Sequence, residues 1–520
     1  MKLPDRLGRK TSTRRRASIA VSAAACVALV APMGASAATA SAATPGTHSI
    51  TVLENSVYGS WTGLDPVAST VAGSFLNAIY GNLFEIGPGG KLVDDLATGY
   101  KLTEGGKQFT MTIRPGVKFT DGTPLDAASV VANIKRAILP SNGCPCLINL
   151  PIASVSATGP DTVQVDLTKK DGQFPYAMAQ FYVYSPTALQ KEGKAGFALH
   201  PVGAGPFSVV SATPNTKLVL TRNPDYWQKG LPYLSEITFE TTATDESAYE
   251  ALLAGQGQAY EDISTYSLLP QARKQLQVSQ VPSALGAYVI QLNTQAAPFN
   301  NIKAREAIYY ATDPAPISKG ITDGAGTVTE TGTEPGGLIF IPKVNGFRTY
   351  DLAKAKALVK QLGGLTISLR GASYTADVQM LSVLKAQWAQ AGIKATLSDG
   401  PLPEIVNTME SHNWQAYLQQ AGGFAPGLGV GLVFRFESKA PFSGVADPKL
   451  DQLITTAAQQ VSKSAMEKAY TKTFAYIASK AYGPFLFTVP QYDLVAKGVS
   501  APGLTTDQYE IFWQDAKVGS

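Results

Sequence analysis

Histidines, cysteines and paired carboxylates are the residues of this chain that could do chemistry, and their spacing argues against most of it. The three histidines, His48, His200 and His412, stand far apart. None falls in a metal-ligand or base–nucleophile spacing. Neither His-Glu-x-x-His nor Gly-x-Ser-x-Gly occurs. Gly427-Leu428-Gly429-Val430-Gly431 suggests a phosphate loop, but Leu432 stands where the last Gly of a dinucleotide motif belongs. A flexible ligand-facing loop is the reading there. The adjacent acids Asp94-Asp95 and Glu261-Asp262 could serve a glycosidase, which sets two carboxyls about a scissile bond. Among 39 acidic residues such neighbours arise by chance, and solvated surface charge is the default. Cys144 and Cys146 in Asn-Gly-Cys-Pro-Cys can close a small, strained disulfide in an oxidising compartment or take a soft metal. No His or third Cys lies near in sequence to complete a metal site. Together these residues favour binding over catalysis, with no metal and no cofactor.

The ends place the chain outside the cytoplasm. Residues 1–43 read as an export leader: a basic start (Lys2, Arg6, Arg9, Lys10, Arg14–Arg16), an apolar run from Ala17 to about Pro32, and small residues at Ala35-Ser36-Ala37 or Ser41-Ala42-Ala43. The run is Ala-rich and broken by Ser18, Ser22 and Pro32, which weighs against a membrane anchor. Arg14-Arg15-Arg16 raises a twin-arginine signal, but the residues after it favour the general secretory route. Cys26 follows Ala23-Ala24-Ala25, a faint lipobox, and the further apolar sequence favours plain secretion over a lipid on Cys26. The leader holds seven of the 43 Lys+Arg and one of the 39 Asp+Glu, so the mature chain carries a net −2. That charge excludes a basic nucleic-acid surface. Some 477 of the 520 residues remain, too many for one core, which predicts two or three lobes.

The elements that must position a site alternate between strand and helix patterns. Strands are expected at Ser49–Asn55, Thr162–Leu167, Ile237–Glu240, Tyr288–Asn293, Leu365–Leu369, Ile393–Leu397 and Phe485–Pro490. Helices are expected at Val67–Leu83, Phe174–Phe181, Glu246–Ala254, Tyr350–Leu362 and Asp377–Ala391. The segment Phe109–Arg136, FTMTIRPGVKFTDGTPLDAASVVANIKR, joins a strand to a helix opened by Asp126. Gly203 and Gly205 in PVGAGPF are expected to take backbone angles closed to other residues.

That segment resembles the signature of the oligopeptide/dipeptide-binding family (family 5) of extracytoplasmic solute-binding proteins that feed ABC importers. Leu64-Asp65-Pro66, Gly203–Phe207, Asn223–Trp227, Asn293–Ile308 and Pro441–Ala457 resemble further family landmarks in the same order. The resemblance covers roughly residues 48–515. It implies an α/β, two-lobed periplasmic-binding-protein-like fold with an extra subdomain in the first lobe (cluster C type). The division it implies is lobe I at 44–290 with a subdomain at about 90–200, lobe II at 291–487, and a return to lobe I at 488–520. Phe485–Pro490 is read as the returning strand.

The resemblance further implies a monomer that closes about a small-molecule or peptide ligand and delivers it to an ABC permease. Ligand contacts are expected at Tyr58 and Trp61 after the first strand, and at Trp414, Gly422, Phe424 and Arg435 around the family's second contact region. A core position is the alternative reading for Trp414 and Phe424, and also for Tyr58 and Trp61. In peptide-binding members an Asp grips the ligand's amino terminus, and Gly422 occupies that position here. A sugar or metal chelate therefore competes with a peptide, unless another acid such as Glu437 supplies the charge. A secreted hydrolase acting on saccharides or peptides and a receptor-like sensor are the alternative functions.

Overall fold

The computed structural model describes residues 48–55, 61–67, 73–87, 91–139, 150–179, 181–281, 286–420, 428–504 and 511–519. The expectations for the leader, Cys26, Tyr58, Cys144, Cys146, Gly422 and Phe424 lie outside the described residues.

Strand Ser49–Asn55 forms where its alternation predicted: Ile50 and Val52 face one core and Leu53 another. Asp126 opens helix Ala127–Ala137 through a reciprocal cap: its carboxylate accepts from Ser129 N–H at 2.8 Å, and Ser129 Oγ accepts from the Asp126 N–H at 3.0 Å. Asp351 caps helix Leu352–Gln361 in the same way from one side, accepting from Lys354 N–H at 3.0 Å.

Two large sheets organise the described chain. The first runs Gln277–Val281, Gln491–Val495, Ala259–Glu261, Ser49–Asn55, Glu236–Thr242, Lys217–Arg222, Phe207–Thr213. The second runs Thr327–Val328, Phe485–Thr488, Ala287–Leu292, Ala416–Gln420, Leu365–Ala372, Ile393–Gly400. A four-stranded antiparallel sheet, Ala97–Thr103, Gln108–Ile113, Thr162–Leu167, Ile152–Ala157, shares the first sheet's core. Strand Ala287–Leu292 is buried along its whole length because helices cover both faces. Tyr288, Ile290 and Leu292 enter one core, and Ala287 and Val289 the other.

The chain leaves the first sheet after Val281 and joins the second at Ala287; it comes back through Val489 and Pro490. The returning strand differs from expectation. Phe485–Thr488 belongs to the second sheet, because Phe485, Leu486 and Phe487 are buried in that sheet's two cores. Gln491–Val495 makes the return.

Gly203 and Gly205 are required for a different reason from the one expected. Neither has a positive φ. Both lie against the end of helix Ser74–Tyr80, where Gly205 N–H donates to Ile79 O at 3.0 Å. A Cβ at Gly203 would stand 2.1 Å from the Ile79 carbonyl oxygen. Gly203→Ala is expected to cost about 1–3 kcal/mol by urea unfolding, with the circular dichroism of the folded state unchanged.

A second contact joins the two halves. Gly172 N–H donates to Ala458 O at 2.9 Å, and Gln173 Nε2 donates to the buried Tyr470 hydroxyl at 2.7 Å. A Cβ at Gly172 would meet the Gln460 carbonyl oxygen at 2.0 Å.

Candidate functional site

Open α/β sheets bind ligands beyond the carboxyl ends of their strands. In the first sheet Ser49–Asn55, Glu236–Thr242 and Ala259–Glu261 run parallel and end together. The face that carries Ile50, Val52, Ala259 and Val495 into the core continues, by period two, as Glu54, Glu261 and Asp493. Glu54 is in register with Glu261. Asp493 lies one step past the Tyr260–Leu494 pair. Asp262, at φ +61°, donates its N–H to Asp493 Oδ1 at 3.0 Å. The result is a buried row of carboxyl groups, and no cation pairs with any of them among the described residues.

Burial, then mutual repulsion, raises their proton affinity. Burial pushes Glu261 up to about 7 against the hydrogen bond from Ser74 Oγ at 2.5 Å, and Asp262 adds repulsion. Asp262 is pushed up to about 6 by burial, against a hydrogen bond from Gln491. Glu54 and Asp493 stand well above the carboxylate range from burial and the charge of Glu261. Nearby Asp245 shows the contrast. Burial pushes it up, but hydrogen bonds from Tyr260, Thr265 and Ser264 outweigh this and hold it below its ordinary value.

In the second sheet Leu365–Ala372, Ile393–Gly400 and Ala416–Gln420 are parallel. Their carboxyl ends lie beside the amino end of antiparallel Ala287–Leu292, where the first crossing arrives. Gln291, on that strand, donates to Arg435 O at 2.8 Å and Phe442 O at 2.6 Å, and its Oε1 accepts from Gln419. Arg435 lies near the end of helix Leu428–Phe436. Its Nε is buried without a hydrogen-bond partner, and desolvation pushes its guanidinium down to about 10. Glu334 is pushed up to about 8 by burial, against one hydrogen bond from Gly286 N–H; its Oε2 has no partner.

The expected residues separate. Trp61 is 3% exposed in the first core, with its ring 6.1 Å from that of Phe75. Trp414 is 5% exposed and packs with Ile405, Met409 and Tyr417, its Nε1 donating to Met409 O at 3.2 Å. It precedes Ala416–Gln420, so it stands at the opposite edge of the sheet from the crossings, on a groove of about 590 Å³ shared with His412. Of the three described expectations, Arg435 alone has a buried polar atom, its Nε, without a partner. Leu428–Gly431 is the first turn of a helix, not the loop its glycines suggested. Asp94 is exposed and Asp95 buried, so that pair does not converge on a substrate. Sequence reading missed Glu54, Asp493 and Glu334. Only the register of three distant strands assembles the first two with Glu261. Among the described residues no three His, Cys, Asp or Glu are grouped as a metal site. No described helix is long and apolar enough to cross a membrane.

Residues 91–444 match the model of the bacterial extracellular solute-binding proteins, family 5. The glutathione-binding protein GsiB of Salmonella paratyphi A is 31% identical over 353 residues, covering 66% of this chain and 68% of that protein. The murein tripeptide binding protein MppA of Escherichia coli superposes with a TM-score of 0.77 at 18% identity, over 91% of this chain and 99% of that one. The dipeptide binding protein of Pseudoalteromonas sp. SM9913, in complex with Met-Leu, gives 0.76 at 18% identity, over 90% and 100%. These likenesses fix a two-lobed fold, and the match over most of the sequence makes the chain a member of the family 5 extracellular solute-binding proteins.

Proposed function

We propose that this protein, the solute-binding component of an ABC importer, captures a small peptide or peptide-like zwitterion and hands it unchanged to its membrane permease. The observation that carries this reading is the row of acids at the carboxyl ends of the first sheet's parallel strands, which no cation pairs with among the described residues. A solute with an ammonium group answers that row. The relatives named for glutathione and for Met-Leu bind solutes of that kind. The missing acid at Gly422 is then replaced by acids of the first sheet rather than by Glu437.

Lobe I, which ends at Val281 and resumes at Gln491 and carries a subdomain at about 90–200, and lobe II, Ala287–Thr488, hinge about the two crossings. Closing excludes water and strengthens every polar contact inside. The solute shifts the open–closed equilibrium by its preference for the closed form. Export through the leader 1–43 brings the mature chain outside the cytoplasmic membrane as a monomer, by plain secretion rather than a lipid on Cys26.

Calorimetry with glutathione and with dipeptides is expected to show one-to-one saturable binding, accompanied by a smaller radius of gyration in small-angle scattering. No thermal shift with any peptide, oligosaccharide or metal chelate would sink the reading. Recovery of a chemically altered solute would replace it with hydrolysis.

A further inference from the structure

We propose that the ammonium group of the solute displaces protons from the acid row Glu54, Glu261, Asp262 and Asp493, so that capture releases protons and tightens as the pH rises. This rests on the solute-binding reading above and adds how the same site is regulated.

The geometry leaves the row unable to carry all of its negative charge. Glu54 and Glu261 are register partners on adjacent parallel strands, which sets their side chains side by side. Asp493 follows on the next strand, where its Oδ1 accepts from Asp262 N–H at 3.0 Å. Glu54 and Asp493 are each only 4% exposed. Carboxylates packed so closely out of water cannot all ionise. Glu54 by itself points to a ligand. Its side chain faces Glu261, yet among the described residues its carboxylate accepts no hydrogen bond and meets no cation. The hydrogen bond from Thr242 Oγ1, at 3.2 Å, goes to its backbone carbonyl instead.

The elements packed around the row bring it no positive charge. Helix Ser74–Tyr80 offers the Ser74 hydroxyl to Glu261, and strand Gln491–Val495 offers Gln491 to Asp262. Strand Glu236–Thr242 sets Thr241 beside Glu54. Helix Asp245–Leu253 adds a further acid, Asp245, whose charge raises Asp262. The nearby cations lie on the sheet's other face, with Leu53 and Tyr492: Arg273 is 5.6 Å over the Tyr492 ring, and Lys217 pairs with Glu240 at 2.7 Å. Protons therefore stay on the row near neutral pH, with Glu261 pushed up to about 7 and Asp262 to about 6 by burial first. A cation seated among these groups favours their ionised forms. As the ammonium arrives, about one proton leaves for the solvent, so charge is conserved at the site.

The test is calorimetry with Met-Leu between about pH 5 and 7, where the dipeptide keeps both its ammonium and its carboxylate. Phosphate and imidazole buffers, whose heats of ionisation differ widely, count the protons released. About one proton per solute is expected in the wild type, and affinity is expected to rise roughly five- to tenfold per pH unit across the window. N-acetyl-Met-Leu, which has no ammonium, is expected to bind more weakly and to release no protons. Glu54→Gln is expected to bind Met-Leu more weakly and to release fewer protons, a count that a merely structural Glu54 would leave unchanged. Equal binding heats in the two buffers for the wild type, a measurement needing no variant, would overturn the inference, as would the same proton release with N-acetyl-Met-Leu. Failure of the wild type to bind either Met-Leu or glutathione removes the peptide-like reading itself, a different outcome from binding without proton release.

Discussion

Unfolding of the empty protein is expected to become easier as the pH rises from about 5 to 8, the reverse of the trend in proteins rich in paired carboxylates. The row Glu54, Glu261, Asp262 and Asp493 sets the sign. Burial and mutual repulsion raise these folded-state proton affinities, Asp262 to about 6 and Glu261 to about 7, with Glu54 and Asp493 well above their ordinary values. Between the ordinary carboxylate range and these values the native state binds more protons than the unfolded chain. Unfolding free energy therefore falls as pH rises through that window. For Asp262 and Glu261 that stability is fully present below pH 4–5 and is lost as pH rises through about 6 and about 7; Glu54 and Asp493 act in the same direction. Glu334, pushed up to about 8, acts in the same direction. Asp245, held below its ordinary value, acts oppositely but only at more acid pH, so an optimum near pH 5 is expected. The row as a unit is worth on the order of 3 kcal/mol across this window. Glu54→Gln, which removes one charge and keeps the shape, should raise the thermal midpoint at pH 8 and flatten the slope. Melts at four pH values on wild type and variant decide it. A midpoint that rises from pH 5 to 8 would contradict the assignment.

Loss of Arg136 is the other large effect. Asp65 is buried in the loop that follows the first strand, and Arg136 closes the helix opened by Asp126. Arg136 Nη1 donates to Asp65 Oδ1 at 2.9 Å, Nη2 to Oδ2, and the guanidinium lies 5.2 Å over the Tyr184 ring. Asp65 also accepts from Val67 N–H at 3.1 Å. Arg136→Met leaves that carboxylate buried and unpaired, for which about 3–5 kcal/mol is expected. Asp65→Asn combined with Arg136→Met should recover part of the loss, because the orphaned charge is gone while the acceptor for Val67 remains. Urea unfolding of the two singles and the double measures the coupling. Additive losses would show that the pair does not interact. Solute affinity of any folded variant should stay within a few-fold, since the pair lies in the core and not at the cleft edges.

Local features were the legible part of this chain. Strand Ser49–Asn55 was readable because its two faces differ, and helix Ala127–Ala137 because Asp126 caps it. Helix Lys463–Lys480 was readable and overlooked: Met466, Tyr470, Phe474 and Ile477 recur at helical spacing along its buried side. Strand Ile152–Ala157 gave no such signal, because most of its side chains are exposed. The glycines at 203 and 205 pointed correctly to a constraint and incorrectly to its kind, since close approach of a helix end cannot be read from one strand of sequence. Arg435 was marked as a ligand contact from its place in the chain, as the resemblance implied. The acid row was not, because residues 54, 261 and 493 meet only through sheet register. The aromatics Trp61 and Trp414 show that ring chemistry alone does not separate a cleft wall from a core.

The junction of Gly172 and Gln173 with Ala458 and Tyr470 has a consequence for affinity. Jaws that already grip each other through their own side chains make the measured strength of capture a composite. Part of it belongs to the cargo and part to a handshake between the protein's own groups. Weakening the handshake, by trimming Gln173 for instance, therefore loosens retention of every cargo by one common factor and leaves the ranking among them untouched.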